Sequence, residues 1–256
     1  MSRRSARVTV ILAILVAPLP VFAQGAADGT GDGARTVARL PENLLRGAVG
    51  VFCLDNALPA SAGVLATGVA AIFDQEVANA AADPGSAFGQ WLETGAEPVI
   101  VGAGIGVLFA AGRYGDHRRF RATTYDLLDA WVVNGVYTLV LKGATGRTRP
   151  NGEDQLSFPS GHASNAFTLA TVAERHYGWK VGVPAYGLAA AVAASRLVQN
   201  AHYLSDVTAG AALGFIVGRT VVRVNGRGLA PGKNASVSLV PVLAGRTRAV
   251  VLEVAF

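Results

Sequence analysis

Between about residue 40 and residue 222, long alanine-rich apolar stretches alternate with short clusters of glycine, proline, asparagine or charged residues. Within the stretches, apolar positions recur at helical spacing, which predicts α-helices. The predicted helices cover approximately residues 43–54, 59–81, 97–112, 121–143, 161–177, 182–198 and 204–222. We therefore expect a mainly α fold, a helical bundle, with one helical domain over residues 40–225.

The end of the chain follows a different pattern. Apolar and β-branched residues alternate or run continuously in "ASVSLVPVLAG" and "RAVVLEVAF", on either side of an "AGRTR" turn. Such a pattern is typical of two paired strands. We expect a short C-terminal β-hairpin over residues 234–256, which by itself cannot form a transmembrane barrel.

Three helical stretches, residues 98–112, 181–195 and 207–218, are almost uniformly apolar. A membrane-spanning helix needs about 20 predominantly apolar residues, and these runs are shorter. Our preferred interpretation is therefore that they are core helices of a bundle. An integral membrane bundle with thin spans is the alternative, since small residues also pack helices closely in membranes.

The first 23 residues have the three parts of an export signal: a basic start, "MSRRSAR", an apolar run, "VTVILAILVAPLPV", and small residues before Gln24. A retained N-terminal anchor is the alternative. Residues 24–39 begin with the Gly-rich "QGAADGTGDGART" and are expected to be a flexible leader. The predicted location is the periplasm, with possible association with the membrane.

Composition adds two constraints. Hydrophobic residues make up 51% of the chain and charged residues 15%, so it is more apolar than an ordinary soluble domain. Without residues 1–23 the chain keeps 19 basic and 17 acidic residues, and this near balance gives no reason to expect a nucleic-acid partner. The basic segment "GRYGDHRRFR" at 112–121 could contact anionic lipid headgroups.

Reactive and charged side chains are concentrated in three segments near predicted helix ends: "KGATGRTRP", "PSGH" and "SRLVQNAHYLSD". Cations and backbone N–H groups match the oxygens of a phosphoryl group, whose transfer is catalysed mainly by preorganised positive charge. Gly161 would let the backbone approach closely, and the two histidines could supply a nucleophile and a proton donor.

Lys142 with "RP" at 149–150, "PSGH" at 159–162, and "SR" at 195–196 followed by His202 and Asp206 resemble the three-part signature of the type 2 phosphatidic acid phosphatase superfamily. That superfamily includes bacterial class A acid phosphatases and vanadium haloperoxidases. The resemblance covers roughly residues 97–222 and implies a helical bundle of the phosphatidic acid phosphatase/haloperoxidase type.

The resemblance also implies a role for each matching residue. His202 would be the nucleophile that forms a phosphohistidine, Asp206 would orient it, and His162 would protonate the leaving alcohol and later activate water. Phosphate would be bound by Lys142, Arg149, Ser160, Gly161 and Arg196. Arg147 lies outside the signature and is interpreted as a bystander or an auxiliary cation.

These residues predict a metal-independent phosphomonoesterase acting on a phosphate ester, which the apolar composition suggests is lipid-linked. We expect no metal and no cofactor, although vanadate could occupy the phosphate site. One alternative is a vanadate-dependent haloperoxidase, and another is a non-catalytic periplasmic or membrane protein. His117 and His176 are expected to be solvated, and no metal-ligand spacing links them.

Overall fold

The computed structural model describes residues 34–226, 236–244 and 247–255. Residues 34–226 contain nine α-helices, as the helical periodicity predicts: α1 (Leu40–Gly50), α2 (Ala57–Ile72), α3 (Asp74–Ala81), α4 (Ala87–Gly95), α5 (Pro98–Tyr114), α6 (Arg118–Thr145), α7 (Gly161–Tyr177), α8 (Trp179–Val198) and α9 (Leu204–Gly226). Short 3-10 helices precede α1 (Val37–Arg39) and α2 (Leu54–Asn56). The predicted signal peptide, residues 1–23, lies outside the described residues.

Two elements differ from the predicted ones. The stretch over 59–81 forms two helices, because Phe73 leaves helical geometry and Asp74 and Glu76 begin α3 with the acidic first turn that favours a helix N-terminus. Helix α4 was not predicted. It has only nine residues, Ala87–Gly95, too few to show a clear apolar repeat.

Helices α7 and α9 form the centre of the bundle, and glycines bring them together. Gly210, Gly214 and Gly218 are four residues apart, so they share one face of α9. A Cβ atom on Gly214 would lie 2.2 Å from the carbonyl oxygen of Ser164 in α7. The two backbones are thus in direct contact, and both helices begin at the same end of the bundle, where the Ser160 amide donates to the Asp206 carbonyl at 2.9 Å.

The opposite end of the bundle holds a buried polar cluster centred on Asp126 of α6. Its carboxylate accepts two bonds from Arg35, at 2.9 and 2.8 Å, one from Asn225 at 2.9 Å, and lies 2.8 Å from His176 Nε2. The end of the predicted leader, residues 34–39, is therefore attached to α6 through Arg35. The expectation that His176 is solvated is wrong, because the helix periodicity could not reveal a buried carboxylate facing it from another helix.

The C-terminal segment with the alternating pattern contains two strands, β1 (Ser236–Ala244) and β2 (Thr247–Ala255). They pair antiparallel, with Ser236 opposite Ala255 and Ala244 opposite Thr247.

Among the described residues, two helices are long and apolar enough to cross a membrane: α8 with 20 residues and α9 with 23. The bent pair formed by Val37–Gly50 and Leu54–Ile72, with an angle of 59°, would count as a third span if it is taken as one element. The length argument from the sequence counts only uninterrupted apolar runs. In the structure each helix extends past its run, so the length argument against spans does not hold for α8 and α9.

Candidate active site

The predicted site residues come together at the end of the bundle where α6 and α8 end and α7 and α9 begin. Lys142 lies in the last turn of α6, and Arg196 lies in the last turn of α8. The connection over residues 146–160 carries Arg149 and Ser160, and the turn between α8 and α9 carries His202. Four helix ends and two connections therefore build one site.

His202 is buried, with 2% of its surface exposed. Its Nδ1 lies 2.7 Å from the carbonyl oxygen of Ser157, and because a carbonyl can only accept, Nδ1 carries the proton. The lone pair is then on Nε2, which faces Arg149 Nη1 at 3.4 Å. This is the tautomer that a nucleophilic histidine requires.

Burial is the main cause that lowers the pKa of His202 below its usual value of 6.5. Asp206 raises the pKa, whereas the nearby cations Arg149, Lys142 and Arg196 lower it further. The imidazole is therefore neutral at neutral pH, which keeps its lone pair available.

Asp206 is fully buried, and its contact with His202 is less direct than expected. Its Oδ2 is 3.8 Å from His202 Nδ1, which is beyond hydrogen-bond distance. The same oxygen accepts bonds from the Ser157 hydroxyl and, at 2.9 Å, from the Tyr203 amide. Ser157 therefore links the two residues, since its hydroxyl binds Asp206 and its carbonyl binds His202.

The three predicted phosphate-binding cations are held by neighbouring polar groups. Arg149 Nε donates to Asp154 at 2.8 Å and its Nη1 to the Ala201 carbonyl at 3.3 Å. Arg196 is almost fully buried and donates to Gln199 at 2.7 Å, while Lys142 donates to the Leu156 carbonyl. The hydrogen bond from Arg149 is also the main reason that the pKa of Asp154 lies below its usual value. These contacts orient the cations before any ligand binds.

Helix α7 begins at the site with the other predicted residues. Ser160 is its N-cap and accepts from the Ala163 amide at 3.5 Å, and Gly161 is its first residue, so the positive end of the helix dipole points at the site. A Cβ atom on Gly161 would lie 3.9 Å from Lys142 Cε, which places the Gly161 backbone beside that cation. The arrangement suits an anion.

His162 lies at the edge of the site, where the polar groups meet an apolar cavity. Its side chain is 15% exposed, and its Nε2 lies 3.9 Å from the Glu97 carboxylate. The cavity, of about 380 Å³, extends from His162 between α5, α7 and α8 and is lined largely by alanine, leucine and valine. A group leaving the phosphate on this side would pass directly into apolar surroundings.

Some residues of the site were not predicted, namely Ser157, Asp74 and Ser205, and Arg147 has more contacts than expected. Arg147 donates to Asp206 at 2.7 Å, to Ser205 at 2.7 Å and to Asp74 at 2.7 Å. The position of Arg147, two residues before Arg149, was the only signal for it in the sequence. Nothing in the sequence pointed to Asp74, because its partner Ser205 is 131 positions away.

The family model of the PAP2 superfamily matches residues 125–228. We call residues 125–228 the PAP2 region, after the family model that they match. All eight predicted site residues lie within this PAP2 region. Asp74 and Glu97, which also reach the site, lie before it.

Several relatives match short stretches of this chain. A lipid A 1-phosphatase of Porphyromonas gingivalis is 42% identical over 80 residues, which is 30% of this chain and 18% of the relative. A lipid A 4'-phosphatase of Helicobacter pylori is 36% identical over 26% of this chain and 34% of the relative. A decaprenylphosphoryl-5-phosphoribose phosphatase of Mycobacterium tuberculosis is 42% identical over 28% of this chain and 39% of the relative. The matches thus span well under half the length of these three relatives.

Among solved structures, a transmembrane PAP2 type phosphatidylglycerolphosphate phosphatase from Bacillus subtilis aligns with a TM-score of 0.39 and 21% identity. The alignment covers 77% of this chain and 98% of that chain.

Proposed function

We propose that this chain is a phosphatase that hydrolyses a lipid-linked phosphate ester, without a metal ion, through a phosphohistidine on His202. The main support for the proposal is the tautomer of His202 and the contacts of its two ring nitrogens. Its Nδ1 is bound to the Ser157 carbonyl, and its Nε2 faces Arg149 at 3.4 Å. A buried neutral imidazole beside oriented cations is what attack on a phosphoryl group requires.

In the first step, Nε2 of His202 attacks phosphorus, and the bond between phosphorus and the ester oxygen breaks. Lys142, Arg149 and Arg196, with the Gly161 amide, stabilise the charge on the three equatorial oxygens. His162 gives its proton to the departing oxygen, so the alcohol leaves neutral. Asp206 stabilises the positive charge that the phosphorylated imidazole carries.

In the second step, His162 takes a proton from water as the water oxygen attacks phosphorus. The bond between phosphorus and His202 breaks, inorganic phosphate leaves, and both histidines return to their starting protonation states.

The cavity beside His162 supports a lipid-linked leaving group. Its volume of about 380 Å³ falls within the roughly 300–1,000 Å³ typical of small-molecule sites. Its apolar walls include Ile105, Leu169, Leu188 and Val192. Because His162 serves the leaving oxygen in this mechanism, the group attached to that oxygen would lie beside the cavity, whose apolar walls suit the apolar part of a lipid.

The surface of the bundle supports association with a membrane. Large apolar side chains are exposed along α2, α5 and α8, with Leu58 81%, Val99 77% and Trp179 71% exposed. Single exposed apolar residues are common, but several of them along each of three helices indicate contact with lipid or protein. Together with the span-length helices α8 and α9, they support a location in a membrane, where a lipid phosphate would reach the site laterally.

The relatives' names support the same substrate class, since the three relatives are described as phosphatases of lipid A or of a decaprenylphosphoryl compound. Which lipid this chain accepts, and its location on the periplasmic side through export by residues 1–23, remain predictions.

The test uses the full chain purified in detergent micelles and a panel of phosphates that includes phosphatidate, an isoprenyl diphosphate, a lipid A phosphate and soluble esters. We expect release of phosphate that is fastest for a lipid substrate, persists in EDTA and is inhibited by vanadate. His202→Ala should abolish turnover and the phosphohistidine trapped at alkaline pH, whereas His117→Ala, a change at an exposed histidine, should not. Loss of activity in EDTA that is restored by Mg²⁺ or Zn²⁺ would refute the proposed chemistry.

A further inference from the structure

The side chain of Arg147 is fixed in the site by several contacts, like the cations of the three-part signature. Its Nη1 donates to Asp206 Oδ1 and to Ser205 Oγ, each at 2.7 Å, and its Nη2 donates to Asp74 Oδ2 at 2.7 Å. Its guanidinium lies over the Tyr203 ring, 4.3 Å from the centroid. Contacts on both edges and one face leave the guanidinium little freedom to move.

Asp74 extends this network from a part of the chain that lies before the PAP2 region. It is the first residue of α3, and only 7% of its surface is exposed. Its Oδ1 accepts from the Ser205 amide at 2.8 Å and its Oδ2 from the Ser205 hydroxyl at 2.6 Å. Asp74 therefore satisfies a free N–H group in the first turn of α9, as a capping residue would, but from another helix.

The network holds the carboxylate that acts on His202. Asp206 Oδ1 is bound by Arg147, while Oδ2 is bound by Ser157 and Tyr203, so both of its oxygens have fixed partners. Because the Ser157 carbonyl also accepts a hydrogen bond from His202 Nδ1, any rotation of Asp206 would disturb the nucleophile. Arg147 thus acts on His202 through two intermediate residues, Asp206 and Ser157, and Asp74 acts through Arg147.

We propose that Arg147 and Asp74 are positioning residues, which hold Asp206 and the first turn of α9 so that His202 presents Nε2 to the phosphoryl group. This inference rests on the proposed function, and it gives α3 a role in the site. Neither residue contacts the reacting atoms, so substrate binding should depend on them much less than turnover does.

The charges of the pair make the inference testable by pH. The charged groups that act on His202 are Lys142 of α6, Arg149 of the loop, Arg196 of α8 and Asp206 of α9. The pair of Asp74 and Arg147 lies behind Asp206, and His162 of α7 lies next to Glu97. Removing the positive charge of Arg147 strengthens the negative field of the two carboxylates at His202. Removing the negative charge of Asp74 weakens that field.

These changes should shift the acid limb of the pH profile of kcat/KM, which is the low-pH side where activity falls, in opposite directions. Activity requires neutral His202 and is lost as the pH falls through its pKa. Arg147→Gln favours the imidazolium and shifts the limb to higher pH, whereas Asp74→Asn disfavours it and shifts the limb to lower pH. The double variant, in which both charges are absent, should return the limb towards its position in the unchanged protein.

The experiment measures kcat, KM and the pH profile of full-length Arg147→Lys, Arg147→Gln, Asp74→Asn and the double variant in micelles. We expect kcat to fall by about 10- to 100-fold in the single variants, while KM changes much less. A loss of this size is typical of residues that act on a reactive group through another side chain. Arg147→Lys keeps the charge but cannot bind both carboxylates with a planar fork, so it should keep the pH profile and lose kcat. Arg175→Gln, at the far end of α7, is the matched control and should be unaffected.

Inhibition by vanadate shows whether each variant has kept its fold, because the phosphate ligands remain in place. Unchanged vanadate inhibition with reduced kcat and opposite pH shifts supports the inference. Unchanged kcat, or limbs that shift in the same direction for both charge variants, would overturn it. Failure of the proposed function is recognised separately, as activity that survives His202→Ala or is abolished by EDTA.

Discussion

Replacing Gly214 with alanine should force α7 and α9 apart. The added Cβ would lie 2.2 Å from the Ser164 carbonyl oxygen, 2.8 Å from the Thr168 amide nitrogen and 3.1 Å from Phe167 Cβ. The first two contacts are with helix backbone, which cannot rotate away as a side chain can. Because real Cβ atoms are essentially never closer than 3.0 Å to such neighbours, the helices must separate locally by about 1 Å.

The expected cost follows from two opposing effects. Overpacking a core costs about 1–3 kcal/mol, and two backbone clashes place Gly214→Ala at the upper end. Alanine is about 1 kcal/mol more favourable than glycine inside a helix. The net loss in the free energy of unfolding is about 2 kcal/mol, which corresponds to a fall of about 4–8 °C in Tm for a domain of this size.

Thermal unfolding of the full chain in one detergent, followed by circular dichroism at the helical band, measures this loss. Gly187→Ala is the matched control, since it lies in α8 and a Cβ there would meet nothing within 4 Å. The control should keep or slightly raise Tm, because only the helix-propensity effect remains. A Tm for Gly214→Ala equal to or above that of the unchanged protein would show that the close contact of α7 and α9 is not the determinant we describe.

Three further predictions concern the site and the opposite end of the bundle. His202→Ala should abolish hydrolysis of every ester, whereas His162→Ala should slow a lipid or alkyl phosphate by about 10²–10⁴-fold and affect the first turnover of p-nitrophenyl phosphate much less, because a phenolate leaves without a proton. The acid limb of kcat/KM should lie below about pH 6.5, since burial and the neighbouring cations lower the pKa of His202 and activity is lost as the pH falls through it. Asp126→Ala should lower stability by about 3–5 kcal/mol, because Arg35 and His176 lose their buried acceptor, with little change in KM for the remaining folded protein.

For each of these three predictions, one experimental result would contradict it. Equal single-turnover losses for both ester types would show that His162 does not protonate the leaving group. An acid limb above pH 7 would show that another group, or a His202 with a raised pKa, controls activity. Unchanged thermal unfolding of Asp126→Ala, compared with the exposed-site variant Glu42→Ala, would show that the cluster around Asp126 contributes little to stability.

The sequence by itself determined the helical class, most helix positions and the eight residues of the candidate site. Helices α5, α7, α8 and α9 lie close to their predicted ranges, because long apolar stretches with clear breaks express a local preference. The site residues could be recognised because they occur in three compact segments with fixed internal spacing, and such spacing is visible without knowledge of the fold. Helix α4 was missed because nine residues give too little periodicity.

Tertiary structure decided how these segments act on one another, because contacts between distant segments leave no periodic signal. The pairing of Asp74 with Ser205 spans 131 positions, and that of Asp126 with Arg35 spans 91. The close approach of α9 to α7 depends on Gly214 facing a carbonyl of another helix, and only the packed structure shows what a side chain there would meet. Likewise, the sequence assigned the orientation of His202 to Asp206, yet the backbone carbonyl of Ser157 accepts the hydrogen bond from Nδ1. Every residue has a backbone carbonyl, so this contact cannot be predicted from residue type.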